Sequence, residues 1–278
     1  MIADKPSLAY LASLLEQRTG QQIGPNRLWR IETVLKAMIR AQGIASLGDL
    51  VARLRAGAEP ALVDAVLSAL LNHETYFFRD TAAFKLIETG VLDQLREARG
   101  ADRRIAIWSA GCSTGQEAYS LAMIFANDPA RWQGWTVDIQ ASDVSAAAVE
   151  RARTGSYSQF EIQRGLPITS MLRWFDQDGE TWRVGRALAG RVRFKRHHLL
   201  DDPAPGRFDL ILCRNVMLYF NAERRRRAFD RLADALAPDG YLMLGAGETV
   251  IGQTDRFGSD PELRGLYRPA ALIRRQAA

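Results

Sequence analysis

Hydrophobic positions along this chain follow two rhythms, and the change between them divides the sequence. Near the start they fall at helical spacing. Leu28, Ile31, Leu35, Met38 and Ile39 make one stripe, and Leu62, Val66, Leu67 and Leu70 make another. Gly43 and Gly57 punctuate the joins. Such stripes predict amphipathic helices that share a core. From Ile105 onward short apolar runs alternate with helical stripes. Ile105 and Ile107 read as a buried strand, residues 109–115 as a small-residue turn, and Tyr119, Ala122, Met123 and Ala126 as a helix. Residues 135–141 read as a second strand and residues 146–152 as a second helix. Residues 210–213 are a fully apolar run, the mark of a strand covered on both faces. Phe229, Leu232 and Leu236 continue as a helical stripe. This alternation predicts an α/β fold with a doubly wound sheet, preceded by an all-α N-terminal domain over residues 1–72. Residues 73–90 are expected to link the two, and residues 91–278 to form the sheet domain. Between Tyr157 and Lys195 the alternation lapses, and residues 181–184 and 191–195 read as short strands among Gly179, Gly185 and Gly190.

Polar residues at the ends of these strands carry the candidate chemistry. The turn over residues 109–115 has no large side chain, so its backbone can approach a ligand closely. Asp143 ends the next strand, 28 residues after Gly115. That position suits an acceptor for ribose hydroxyls. The same residue, or Ser142 or Ser145, could instead cap the following helix. Arg214, Asn215 and Tyr219 follow the apolar run, where open parallel sheets hold their ligands. Upstream, residues 72–80 read Asn-His-Glu-Thr-Tyr-Phe-Phe-Arg-Asp. Phe77 and Phe78 suit a plug at an interdomain join, whereas Thr75 and Arg79 suit a ligand.

Composition narrows the class. An apolar fraction of 47% and a charged fraction of 25% are ordinary for a soluble globular chain of 278 residues. No run of 18 or more apolar residues and no secretory leader is evident, so neither membrane insertion nor export is expected and the expected location is cytoplasmic. Two cysteines, Cys112 and Cys213, and three histidines lack metal-ligand spacing, so no metal site is expected. A disulfide between the cysteines would require their turns to touch, and a reducing compartment disfavours it. The net charge of +5 and the arginine run 224–227 raise a nucleic-acid reading. Those arginines open a helical stripe, which suits a solvated or acid-binding face better than a base-reading one. The Cys-Arg-Asn-Val sequence at 213–216 also lacks the Asn/Asp-Pro-Pro-aromatic loop of enzymes that methylate amino groups.

Four segments, NHETYFFRD (72–80), WSAGCSTGQEAYSLA (108–122), ASDVS (141–145) and FDLILCRNVMLYF (208–220), together resemble the CheR family of chemotaxis-receptor glutamate O-methyltransferases. LAPDGYLMLGAGE (236–248) is similar to that family's closing strand region. The resemblance implies a Rossmann-like AdoMet-dependent methyltransferase sheet with a small antiparallel β subdomain at about 176–197. It implies S-adenosyl-L-methionine (AdoMet) as methyl donor and S-adenosyl-L-homocysteine as product. It implies receptor cytoplasmic helices as the partner, contacted by the basic N-terminal helices, with the enzyme working as a monomer. The stretch from Asp176 to His197 is short, as in members that do not use a receptor tail peptide.

Roles carried over by position place Thr75 and Arg79 near the methionine end, and Gly111 and Glu117 along the glycine turn and its helix. Asp143 would hold the ribose and Leu199 would pack by the adenine beside His198. Arg214 and Asn215 would lie near the methyl, and Tyr219 would flank the acceptor. His73 and His198 stand where the family has asparagine, and either could point elsewhere. Arg79 is the expected carboxylate-orienting residue, Arg214 the second choice, and Tyr219 the third catalytic residue. Alternatives are a non-catalytic AdoMet-binding scaffold in a signalling complex, or a nucleic-acid methyltransferase.

Overall fold

The computed structural model describes residues 5–57 and 60–276. Its first part is helical: α1 (Lys5–Thr19), α2 (Trp29–Ala41), α3 (Leu47–Arg55) and α4 (Pro60–Leu70). Leu11, Leu15, Ile31, Leu35, Leu50 and Val66 meet in one apolar cluster, so each stripe buries its face against the others. Ser46 starts α3 by accepting a hydrogen bond from the Asp49 amide.

Two short helices, α5 (Thr81–Leu86) and α6 (Leu92–Ala98), lead into β1 (Arg104–Ala110), α7 (Gln116–Asn127), β2 (Thr136–Asp143) and α8 (Ala146–Thr154). An insertion follows, with β3 (Ser156–Ser158), α9 (Gln159–Gln163), α10 (Ile168–Trp174), β4 (Phe175–Asp178), β5 (Thr181–Val184) and α11 (Arg186–Ala189). Then come β6 (Val192–Arg196), β7 (Phe208–Cys213), α12 (Ala222–Ala235), β8 (Leu236–Leu244), β9 (Phe257–Ser259), β10 (Leu266–Pro269) and α13 (Ala270–Gln276).

The large sheet has the order β6-β2-β1-β7-β8-β10-β9. Its first five strands are parallel, and β10 and β9 close one edge antiparallel. Ile105 and Ile107 face one core with Met123 and Ile139, whereas Trp108 and Ala110 face the other with Phe208 and Phe229. Leu210 and Leu212 join the first core, and Ile211 and Cys213 the second. Cover on both faces is why β7 reads as an uninterrupted apolar run. Strand order runs outward in both directions from β1, so the carboxyl ends of β1 and β7 form the switch point of the sheet.

The antiparallel sheet, β3-β5-β4, uses residues 156–158 and 175–184. It therefore starts earlier than the expected 176–197. Residues 192–196, expected within it, instead pair with β2 in parallel, with Phe194 opposite Ala141. Val192 and Phe194 are buried and Arg193 and Lys195 exposed. A period of two reveals a strand but not which sheet it joins.

Phe77 is fully buried and meets Tyr157 and Phe175 edge-on at 5.1 and 5.3 Å. It is a plug, but it ties segment 72–80 to the antiparallel sheet and the sheet core. At the far end of the sheet Arg99 joins three strands. Its Nε donates to Asp209 at 2.8 Å and its Nη1 to Asp239 at 2.7 Å, while Asp209 accepts the Ala106 amide at 2.8 Å. The hydrogen bond from Arg99 holds the Asp239 carboxyl below the usual carboxylate range. That stabilisation is fully present above the unfolded pKa of about 3.9 and is lost as pH falls through the lower folded value. Arg99→Ala should lower the melting temperature at neutral pH and flatten the loss of stability on acidification. Melting curves of both proteins across the acid range check this; curves that stay parallel would contradict it.

Candidate active site

The carboxyl ends of the central strands open into a cleft of about 1160 Å³, mouth included. Thr75, Arg79, Gly111, Glu117, Asp143, His198, Leu199, Arg214, Asn215 and Tyr219 all line it. His73, expected among them, does not. Its Nε2 lies 3.0 Å from the Ser68 carbonyl, so the ring turns to the end of α4. Its own carbonyl accepts a hydrogen bond from Ser113 Oγ at 2.9 Å. The backbone, rather than the imidazole, serves the cleft.

The glycine turn is held from two sides. The Gly111 and Cys112 amides donate to the Ser142 carbonyl at 2.8 and 2.9 Å. Gly111 has φ +80°, and a methyl group there would stand 2.5 Å from Val216 Cγ2. Only glycine lets β1 turn so close to the loop after β7. Asp143 Oδ2 accepts the Ser113 amide at 2.9 Å and Oδ1 the Ser145 amide at 2.9 Å. Ser145, not Asp143, caps α8 through the Ala148 amide. Each Asp143 oxygen takes one amide and keeps acceptor capacity toward the cleft.

The two arginines have different surroundings. The Arg214 side chain is only 2% exposed. Its Nη1 donates to Glu117 at 3.2 Å, and its Nη2 to the Arg79 carbonyl at 2.8 Å and Asp80 at 3.4 Å. Glu117 in turn accepts Ser109 Oγ at 2.8 Å. Arg214 is thus a brace for α7 and segment 72–80, its charge answered by Glu117 and Asp80 while its buried Nε has no partner among the described residues. Arg79 donates through Nη1 to the Glu74 carbonyl at 2.9 Å and lies 5.7 Å from the Tyr76 ring centroid. It forms no ion pair among the described residues, so its guanidinium keeps donors for an incoming anion.

His198 lines the cleft, yet its ring is engaged. Nδ1 accepts the Asp201 amide at 3.2 Å, which places the proton on Nε2, 3.2 Å from the Arg18 carbonyl. Sequence reasoning passed over Asn72, Trp108 and His197, which also line the cleft. Asn72 heads the motif at 72–80, and its amide donates to the Tyr219 hydroxyl. Trp108 reads as core because it sits mid-strand; its indole donates to Ser142 Oγ at 2.9 Å and its ring meets His197 edge-on. His197 places Nε2 3.1 Å from the Pro203 carbonyl, and its buried Nδ1 has no partner among the described residues. An unpartnered imidazole nitrogen beside Leu199, with the Asp143 carboxylate also lining the cleft, fits a nucleoside bearing an amino group. Thr19 and Gln21 reach the cleft from the end of α1, which nothing in their local sequence signals.

Cys112 and Cys213 are free and buried, and burial pushes both thiols well up. Both side chains are almost wholly shut off from solvent, and no group of metal-binding side chains occurs among the described residues. A thiol reagent should leave the native protein unlabelled and modify both cysteines after denaturation. Fast labelling of either thiol in the folded protein would contradict the packing.

Residues 73–262 match the family described as CheR methyltransferase, SAM binding domain. The chain is 38% identical over 248 residues to chemotaxis protein methyltransferase 1 of Pseudomonas aeruginosa, covering 87% of this chain and 90% of that protein. It is 36% identical over 249 residues to chemotaxis protein methyltransferase Cher2 of Pseudomonas putida, covering 87% and 90%. With the chemotaxis protein methyltransferase of Vibrio parahaemolyticus it shares 34% identity over 247 residues, covering 87% and 89%. A doubly wound sheet, a glycine turn answered by an acidic strand end, and this similarity over most of the chain agree: the protein belongs to the CheR methyltransferase family and is an AdoMet-dependent methyltransferase.

Proposed function

We propose that this enzyme methylates glutamate side chains on the cytoplasmic helices of chemotaxis-type receptors, giving glutamate methyl esters. In this reading it works in the cytoplasm as a monomer. The observation that carries the reading is Arg79, a cleft guanidinium with no carboxylate within ion-pair distance among the described residues, beside Arg214, whose charge is answered by Glu117 and Asp80. A planar guanidinium with free donors matches a carboxylate acceptor.

A glutamate side chain has an unperturbed pKa of about 4.3, so it is ionised at neutral pH and needs no general base. The cleft is consistent with that. Three carboxylates line the cleft, and each has partners: Glu117 is held by Ser109 and Arg214, Asp143 by two amides, and Glu74 by Arg164 at 2.9 Å. Bound AdoMet supplies an electrophilic methyl on a cationic sulfur. Asp143 would take the ribose hydroxyls, and His197 and Leu199 the adenine. Arg79 would orient the acceptor with one arm while the Glu74 carbonyl occupies another, so the anion is not fully neutralised before it attacks. Because Asn72 donates to the Tyr219 oxygen, the Tyr219 proton stays available to the acceptor carboxylate. Transfer between an anion and a cation removes both charges, which a poorly hydrated cleft favours.

The basic face of α2 supports a receptor partner: Lys36 and Arg40 are exposed, as is Arg27 just before it. Of the arginine run on α12, Arg226 is exposed and the other three are engaged. Arg224 pairs with Glu16, Arg225 holds the Met217 and Phe220 carbonyls, and Arg227 pairs with Asp201. Such commitments count against nucleic acid as the substrate. The histidines that depart from the family pattern both engage backbone carbonyls, which weakens the case for a cofactor-binding scaffold without activity.

Titration calorimetry should show AdoMet binding by the wild type and a loss of roughly tenfold or more in Asp143→Ala, as expected when a half-buried acceptor for two hydroxyls is removed. Wild-type affinity in the variant would remove Asp143 from the ribose site. Arg79→Ala should fold normally yet lose receptor methylation, read as labelled methyl released as methanol by mild base. Near-normal turnover would refute its orienting role. A labelled product that resists base would point to nitrogen rather than carboxylate as the acceptor.

A further inference from the structure

The loop after β7 carries Asn215 and Tyr219, and no regular strand supports it. Residues Met217–Tyr219 form a single 3-10 turn. Asn215 has φ +60°, a left-handed conformation that costs a non-glycine residue free energy unless its surroundings hold it. Two charged side chains outside the cleft lining supply that hold. Glu248, just after β8, accepts the Asn215 amide at 2.7 Å and the Gly245 amide at 2.8 Å on Oε2, and the Leu218 amide at 3.2 Å on Oε1. Arg225, on α12, donates to the Met217 carbonyl at 3.2 Å through Nε and to the Phe220 carbonyl at 2.9 Å through Nη2. Its third arm reaches Gln253 Oε1 at 3.0 Å. An anion therefore gathers the amides of the loop and a cation gathers its carbonyls. Gly245 makes the first half possible. A methyl group there would stand 2.8 Å from both Glu248 Oε2 and Asn215 Nδ2.

We infer that Glu248 and Arg225 are positioning residues that clamp the 214–220 loop and so set where the Tyr219 hydroxyl meets the acceptor. This rests on the reading of Tyr219 as the residue flanking the acceptor. Charge-assisted hydrogen bonds are roughly twice as strong as neutral ones, which suits them to hold a short loop against its own strain. Neither side chain reaches the cleft, so neither can contribute chemistry. Their effect passes through geometry, to which methyl transfer is steeply sensitive.

The test is a double-variant cycle with Tyr219→Phe, using purified full-length enzyme, labelled AdoMet and receptor cytoplasmic fragments. Arg225→Ala should lower kcat roughly tenfold, the scale expected of a mispositioned group, with little change in AdoMet affinity. Arg225→Lys, which keeps the charge and one donor direction, should recover part of that loss. In the Tyr219→Phe background, Arg225→Ala should slow the enzyme by less than about twofold further, because coupled residues are not additive. Multiplying losses would overturn the clamp while leaving Tyr219 in place. A Tyr219→Phe enzyme at the wild-type rate would overturn the role of Tyr219 and the purpose of the clamp with it. Hydrogen exchange gives a second readout that needs no receptor. Glu248→Gln places an NH2 group against one of three donor amides, so exchange should rise at Asn215, Leu218 and Gly245 and stay unchanged at Ser113. Unchanged protection at those three amides would overturn the inference.

Discussion

A guanidinium taken almost wholly out of water, as Arg214 is, has to be answered by its neighbours, because an unpaired buried charge costs several kcal/mol. Glu117 from α7, Asp80 and the Arg79 carbonyl supply the answer. Three stretches far apart in sequence are thereby drawn to the carboxyl end of β7. The first turn of α7 follows the glycine turn, segment 72–80 carries Thr75 and Arg79, and the loop after β7 carries Asn215 and Tyr219. Glu117 and Asp80 are spent on Arg214, and Arg79 has no carboxylate within ion-pair distance among the described residues, the Glu74 carboxylate being held by Arg164. One satisfied cation is what leaves the other available.

Around that brace the cleft is built mainly from backbone groups held by charged side chains. Asp143 gathers the amides of Ser113 and Ser145, and Glu248 those of Asn215, Leu218 and Gly245. A loop at the end of a parallel strand has no ladder to satisfy its amides, so carboxylates from neighbouring strands serve instead. With the ionised glutamate acceptor proposed above, the cleft's part in catalysis would be orientation rather than proton transfer.

The helical unit forms one wall of the cleft through a seam that is mostly polar. Glu16 meets Arg224, Asp64 meets Arg196 through both oxygens, the Gln22 amide donates to the Tyr219 carbonyl, and His198 meets the Arg18 carbonyl. The exposed ion pairs in it are each worth about 1 kcal/mol or less. Gly20 adds a tight apolar seat, since a methyl group there would stand 2.4 Å from Leu200 Cδ1. Acidic residues on the helical side and basic residues on the sheet side set the register of the seam. Part of the positive charge evident in composition is consumed there rather than displayed.

Local chain chemistry determined the helical stripes, the apolar strands and the glycine turn. Each reflects a period or a backbone conformation that a few adjacent residues settle among themselves. It also determined that Asp143, Arg214 and Tyr219 would stand at strand ends, because the strands before them are unmistakably buried. Only tertiary structure decided the partners. Residues 192–196 are as good a strand for one sheet as for the other, and the parallel site beside β2 claimed them. His73 turned to the Ser68 carbonyl and left its backbone to the cleft, which no residue type announces. Arg79 and Arg214 are the same side chain in equally suggestive motifs. The roles diverged because burial obliged one to find carboxylates and left the other facing the cleft, and burial is a property of the assembled fold.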